Sequence, residues 1–137
     1  MRLKNFLRLM AADHKDYALY ERTYERGLME PCGLYPVRNF GINSTGQLVL
    51  EIDVTELDTP MHLSHLQKYI PHLTPEMKMF LGRNFTFHSE HHDEINGIEF
   101  GEEDGHPALY LLNNDSAWNK LQNKFQIANE KKKEDKL

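Results

Sequence analysis

The chain has 137 residues, 39 % of them hydrophobic and 27 % charged, with a net charge of −5. This is the size and mixture of one globular domain with its own core rather than of a disordered or membrane chain. A single cysteine, Cys32, excludes an internal disulfide and any multi-cysteine zinc site.

The opening "MRLKNFLRLMAADHKDY" is interrupted by Lys4, Asn5 and Arg8, so it has no signal-peptide core, and no later stretch is apolar enough to span a bilayer. A cytoplasmic protein of its host cell is expected, with no membrane partner. Leu3, Phe6, Leu7 and Met10 recur at helical spacing and predict a short amphipathic helix. "YALYERTY" predicts a strand, which "GLMEPCG" interrupts. Residues 34–54 predict a hairpin, with Gly46 supplying the positive φ of its turn.

Thr59-Pro60 and Thr74-Pro75 each predict a helix start, the first carrying Leu63, Leu66, Ile70 and Leu73 and the second running over 75–81 to Gly82. Pro71 separates them. Strands follow in "FTFHSE", "INGIEFGE" and "ALYLLN", with a turn at "EDGH" between the last two. A terminal helix over 115–133 starts near Asn114 or Asp115 and carries Trp118, Leu121, Phe125 and Ala128 on one face. The expected architecture is one α+β domain over 1–137. Its antiparallel sheet comes from two loose α-β-β-β units near 2–54 and 75–113, with two short central helices and a C-terminal helix.

The stretch "NFTFHSEHHDEINGIEF" concentrates the ligand-type residues. Strand parity puts His88 and Glu90 on one face, and His91, His92, Asp93 or Glu94 can complete a shell suited to zinc or a similar cation. This motivates an alternative reading, a metal-dependent nuclease or hydrolase centred on His88, Glu90, His91 and His92. In a ββα-metal nuclease, "HHD", Asn114 and Asn123 would surround one cation, but the acidic hairpin between them repels a nucleic-acid backbone. No H-E-x-x-H or cysteine pair supports a metal, and polar turns commonly hold solvated histidines. The "HSE" triplet lacks the downstream P-C-x-x-C that a zinc deaminase needs. His62 and His65, three apart, fit the polar side of a helix. No catalytic residue and no cofactor is assigned.

Charge is unevenly spread. Residues 1–38 carry seven Lys/Arg against five Asp/Glu, residues 116–137 six against three, and residues 39–115 three against thirteen. Glu51, Asp53, Glu56 and Asp58 form one acidic cluster, and Glu99, Glu102, Glu103 and Asp104 another. If the two units lie side by side, these clusters form a negative face that imitates nucleic-acid phosphates and binds a basic host protein, with no direct nucleic-acid contact. Tyr17, Tyr20, Tyr24 and Tyr35 are candidate anchors. The competing reading is a solvated polar face, since hairpin tips are ordinarily hydrophilic. An edge strand in either unit would also allow pairing with a second copy.

The opening "LKNFLRLM", the strand after "DHKDY" and the hairpin "YPVRNFGINSTGQLVLEID" together resemble the short accessory proteins of Gram-positive phages and mobile elements. The resemblance covers residues 1–54 and lies in the order of helix, strand and hairpin. It implies a host-targeted accessory protein, in a group where small acidic binders that block RNA-guided nucleases or other defence enzymes recur. The expected function is binding, not catalysis: an acidic, anti-CRISPR-like inhibitor of a host nucleic-acid enzyme, with an antitoxin-like regulatory binding protein as a further alternative.

Overall fold

A computed structural model describes residues 1–11, 15–28, 30–55, 59–83 and 93–135, with side chains described as far as residue 125 in the last stretch. The strands are β1 (Ala18–Thr23), β2 (Gly33–Ile42), β3 (Leu48–Ile52), β4 (Met79–Arg83), β5 (Asp93–Glu103) and β6 (His106–Asn113). The helices are α1 (Leu3–Met10), α2 (Leu63–Gln67) and α3 (Asn114–Asp135), with a 3-10 turn at Ile70–His72. The six strands close into a barrel in chain order. Four of the ladders are antiparallel, and the two that join the halves, β3 with β4 and β6 with β1, are parallel.

This corrects the expected open antiparallel α+β sheet of two loose units. Two separate three-stranded meanders would leave β1, β3, β4 and β6 with unpaired edges. Pairing those edges in parallel satisfies their backbone groups and abolishes the edges. A parallel neighbour requires a crossover connection. The segment between β3 and β4, with α2 and the 3-10 turn, supplies it and sets Leu48 opposite Met79 through to Ile52 opposite Arg83.

The helix expected over 75–81 is instead a turn leading into β4. Met77, Met79 and Leu81 are buried while Lys78 and Phe80 between them are less so. That is a period of two, and β3 needs this segment as its partner. The first Thr-Pro signal is overridden as well. Met61 N–H donates to Val37 O at 2.6 Å and Leu19 N–H to Met61 O at 2.9 Å, so residues 60–62 lie extended against the barrel and α2 begins only at Leu63. Pro71 lies inside the 3-10 turn. The strand expected at "FTFHSE" lies outside the described residues.

The other elements follow from simple patterns. α1 buries Leu3, Phe6 and Met10. The barrel interior is filled from alternate positions: Leu19, Val37, Leu48, Leu50, Ile52, Met79, Leu81, Ile95, Leu109 and Leu111. Asp104 (φ 51°) and Gly105 (φ 80°) form the two-residue turn from β5 to β6, a conformation that favours Asp-Gly. Where α3 leaves β6 it crosses β5 at Gly97. A Cβ there would stand 3.2 Å from Leu112 Cδ1 and 3.5 Å from Ala117 Cβ, so glycine lets the helix lie close. Among the described residues no helix is long and apolar enough to cross a membrane.

Candidate protein-binding site

α3 is held to the barrel by its polar side. The Asn113 side-chain oxygen caps the helix by accepting from Ser116 N at 2.7 Å. Beyond it, Ser116, Asn119 and Asn123 recur at i, i+3 and i+7, so they share one face. Ser116 Oγ accepts from Tyr24 N at 3.2 Å, and Asn119 Nδ2 donates to Tyr24 O at 3.0 Å. Asn123 Oδ1 accepts from Gly27 N at 2.9 Å, while its Nδ2 donates to Glu25 O at 3.1 Å and Leu28 O at 2.7 Å. Three side chains thus bond the backbone of the segment after β1, which no strand partner satisfies. Lys120 adds a 2.8 Å ion pair to Glu99.

The opposite side is apolar and in water. Trp118, Leu121 and Phe125 are each offset by two residues from that polar set, about 200° around the helix. They are 60 %, 46 % and 58 % exposed. The sequence places these three on one face; the structure turns that face outward.

The acidic residues do not converge. Glu51 and Asp53 are each only 4 % exposed. Glu51 lies 3.6 Å from Arg38, and Asp53 accepts from Thr55 N and Oγ1 at 2.9 and 2.6 Å, fixing the turn after β3. Glu56 and Asp58 lie outside the described residues. Glu99 accepts from the Tyr24 hydroxyl at 2.7 Å and pairs with Lys120. Partial burial works to raise its pKa, but the bonds from Lys120 and Tyr24 outweigh it and hold the carboxyl below its ordinary value. Glu103 accepts from the Tyr110 hydroxyl at 2.6 Å and faces Arg22 at 4.0 Å. Burial, then the bond to Glu103, pushes Tyr110 up to about 12. Glu102 and Asp104 are exposed. Because β3 and β5 run in opposite directions, Glu51 and Asp53 lie at one end of the barrel and Glu102 to Asp104 at the other.

The remaining candidates divide similarly. His88, Glu90, His91 and His92 lie outside the described residues. Asp93, next to them, is bound by Arg83 Nη1 at 3.1 Å. Among the described residues no group of three or more His, Cys, Asp or Glu is placed to hold a metal. Asn123 is occupied with backbone, and Asn114 accepts from Asn96 Nδ2 at 3.0 Å. His62 Nδ1 lies 3.5 Å from Asp16, and His65 packs edge-on against Phe40 and Tyr69. Both line a shallow cleft of about 580 Å³ with Arg38 and Lys68, in which Asp16 already takes hydrogen bonds from Ser64. Tyr17 and Tyr24 are buried, and Tyr20 and Tyr35 half-buried, within the fold itself. Comparison with protein-family models, with curated proteins and with solved structures found no match.

Proposed function

We propose that this chain is a binding protein that docks another protein on the outer face of α3. The observation that carries this reading is the stripe Trp118, Leu121 and Phe125, 46 to 60 % exposed along one side of a helix whose other side is fixed to a rigid barrel. Isolated surface apolar residues are ordinary, but two large aromatics and a leucine in one row are the side chains that dominate protein interfaces. The acid acts chiefly within the fold in this reading. Of the two acidic clusters, an anti-CRISPR-like imitation of nucleic acid would draw, among the described residues, on Glu102 and Asp104 at one hairpin tip.

The two mechanisms separate in one experiment on host-cell extract. Immobilised wild type is compared with Trp118→Ala/Phe125→Ala and with Glu102→Lys/Asp104→Lys, each checked by circular dichroism for an unchanged fold. The stripe variant is expected to lose the specific partner and the charge variant to keep it. The reverse pattern rejects docking on α3 and favours the acidic mimic.

A further inference from the structure

We infer that the occupant of the α3 stripe is an acidic amphipathic helix of another protein, an inference that rests on the docking reading above. Shape and charge both lead there. In sequence, Trp118, Leu121, Phe125 and Ala128 are spaced three, four and three apart. This is the a/d pattern of a narrow two-stranded seam, into which a second helix fits side by side. A flat or broad partner would leave the seam's flanks uncovered. α3 is 22 residues long, about 33 Å, so the seam's two heptads lie within a continuous helix.

One flank is basic, the other polar. Lys124 is exposed a quarter-turn from the stripe, and the lysine run Lys131–Lys133 follows on the same helix. Residues 116–137 hold six lysines against three carboxylates. Two copies of α3 laid together would oppose like charges, whereas an acidic helix would be attracted and steered. Three half-exposed side chains offer on the order of 400 Å² on this side, below the roughly 800 Å² per partner of a stable complex. Reversible, salt-sensitive binding near micromolar Kd is therefore expected.

Trp118 is the only tryptophan, so its emission reports occupancy of the stripe directly. The full chain is titrated with a designed 21-residue helical peptide carrying Leu at a and d and Glu at e and g. Parallel titrations use its Lys counterpart, a scrambled Glu peptide and anionic phospholipid vesicles. A saturable blue shift with the Glu peptide is expected. Binding should be at least tenfold weaker for the Lys peptide, weakened by 0.5 M salt, absent for the scrambled peptide, and lost in Phe125→Ala. Equal affinity for the Glu and Lys peptides overturns the acidic occupant while leaving the stripe a docking face. A shift with vesicles alone, or a shift on concentrating the protein without peptide, replaces the occupant with a membrane surface or a second copy. No shift under any condition overturns the docking reading as well.

Discussion

Glu21 is a charge that the barrel encloses completely, and its titration should appear in the stability of the whole protein. It is 0 % exposed on β1, with one oxygen held by Arg83, which also reaches Asp93. Among the described residues its Oε2 has no hydrogen-bond partner. Desolvation raises its pKa, Arg83 opposes that and Asp93 adds to it, leaving the carboxyl at about 7 instead of 4.5. A carboxyl that holds its proton more tightly folded than unfolded contributes stability fully below pH 4.5, and that contribution is lost as pH rises through 7. Between those limits the slope is about −1.4 kcal/mol per pH unit, or roughly 3 kcal/mol in all. Glu21→Gln stays neutral and keeps the shape, while Arg83 retains Asp93. Urea unfolding of both proteins at pH 5, 6, 7 and 8, at fixed ionic strength, should therefore show the variant gaining on wild type with each step, by roughly 2–3 kcal/mol over the range. A difference that stays constant from pH 5 to 8 would refute the reasoning, since it means that Glu21 ionises no differently in the folded and unfolded chains.

Asn123→Ala removes three hydrogen bonds that tie α3 to the backbone of the exposed segment at Glu25, Gly27 and Leu28. It should cost about 1–2 kcal/mol in urea unfolding and speed amide exchange in that segment. Glu51→Ala, taken from a 4 % exposed site beside Arg38, should destabilise by about 2 kcal/mol, whereas the exposed Glu102→Ala should stay within about 0.5 kcal/mol. Gly101→Ala places a Cβ 2.8 Å from the buried Tyr110 ring and should lower stability by about 1–3 kcal/mol, with a measurable fall in Tm. Trp118→Ala and Phe125→Ala, at exposed positions, should unfold within about 0.5 kcal/mol of wild type.

Much of the local structure was legible, because helices and hairpins announce themselves over a few residues. The spacing of Leu3, Phe6 and Met10 gives α1, and Asp-Gly at 104–105 gives a tight turn. What did not show was everything decided between distant segments. Closure of the barrel depends on β3 meeting β4 and β6 meeting β1 in parallel, and no local pattern records such a pairing. The same cause explains why Thr-Pro was misleading at 59–60 and 74–75: strand partners outweighed a capping preference worth about 1 kcal/mol. Acidic residues imply surface because carboxylates usually lie there, yet Glu51 beside Arg38 and Asp53 in the turn after β3 are buried. For the helix, the apolar row was visible but its direction was not. The available signal was the second row, Ser116, Asn119 and Asn123, at matching spacing on the far side.

That pairing of rows is what makes the outward stripe a specified feature. Rotating α3 by half a turn would bury Trp118, Leu121 and Phe125, and at about 2 kcal/mol per large apolar side chain the gain from half-exposed residues is several kcal/mol. The rotation would also strand Tyr24 N, Tyr24 O, Glu25 O, Gly27 N and Leu28 O, all bonded now by the polar row. At the buried Tyr24 each group left unmade costs about 1–3 kcal/mol, and the three bonds from Asn123 to the exposed segment that follows would be lost as well, which offsets much of the apolar gain. The chain therefore holds its largest exposed aromatics away from its own core by a hydrogen-bonding ladder that no exposed polar helix would need. Five of its acids, Glu21, Glu51, Asp93, Glu99 and Glu103, meanwhile lie against Arg22, Arg38, Arg83 and Lys120. Part of the charge that the sequence offers a partner is thus engaged within the fold, whereas the apolar row of α3 lies in water.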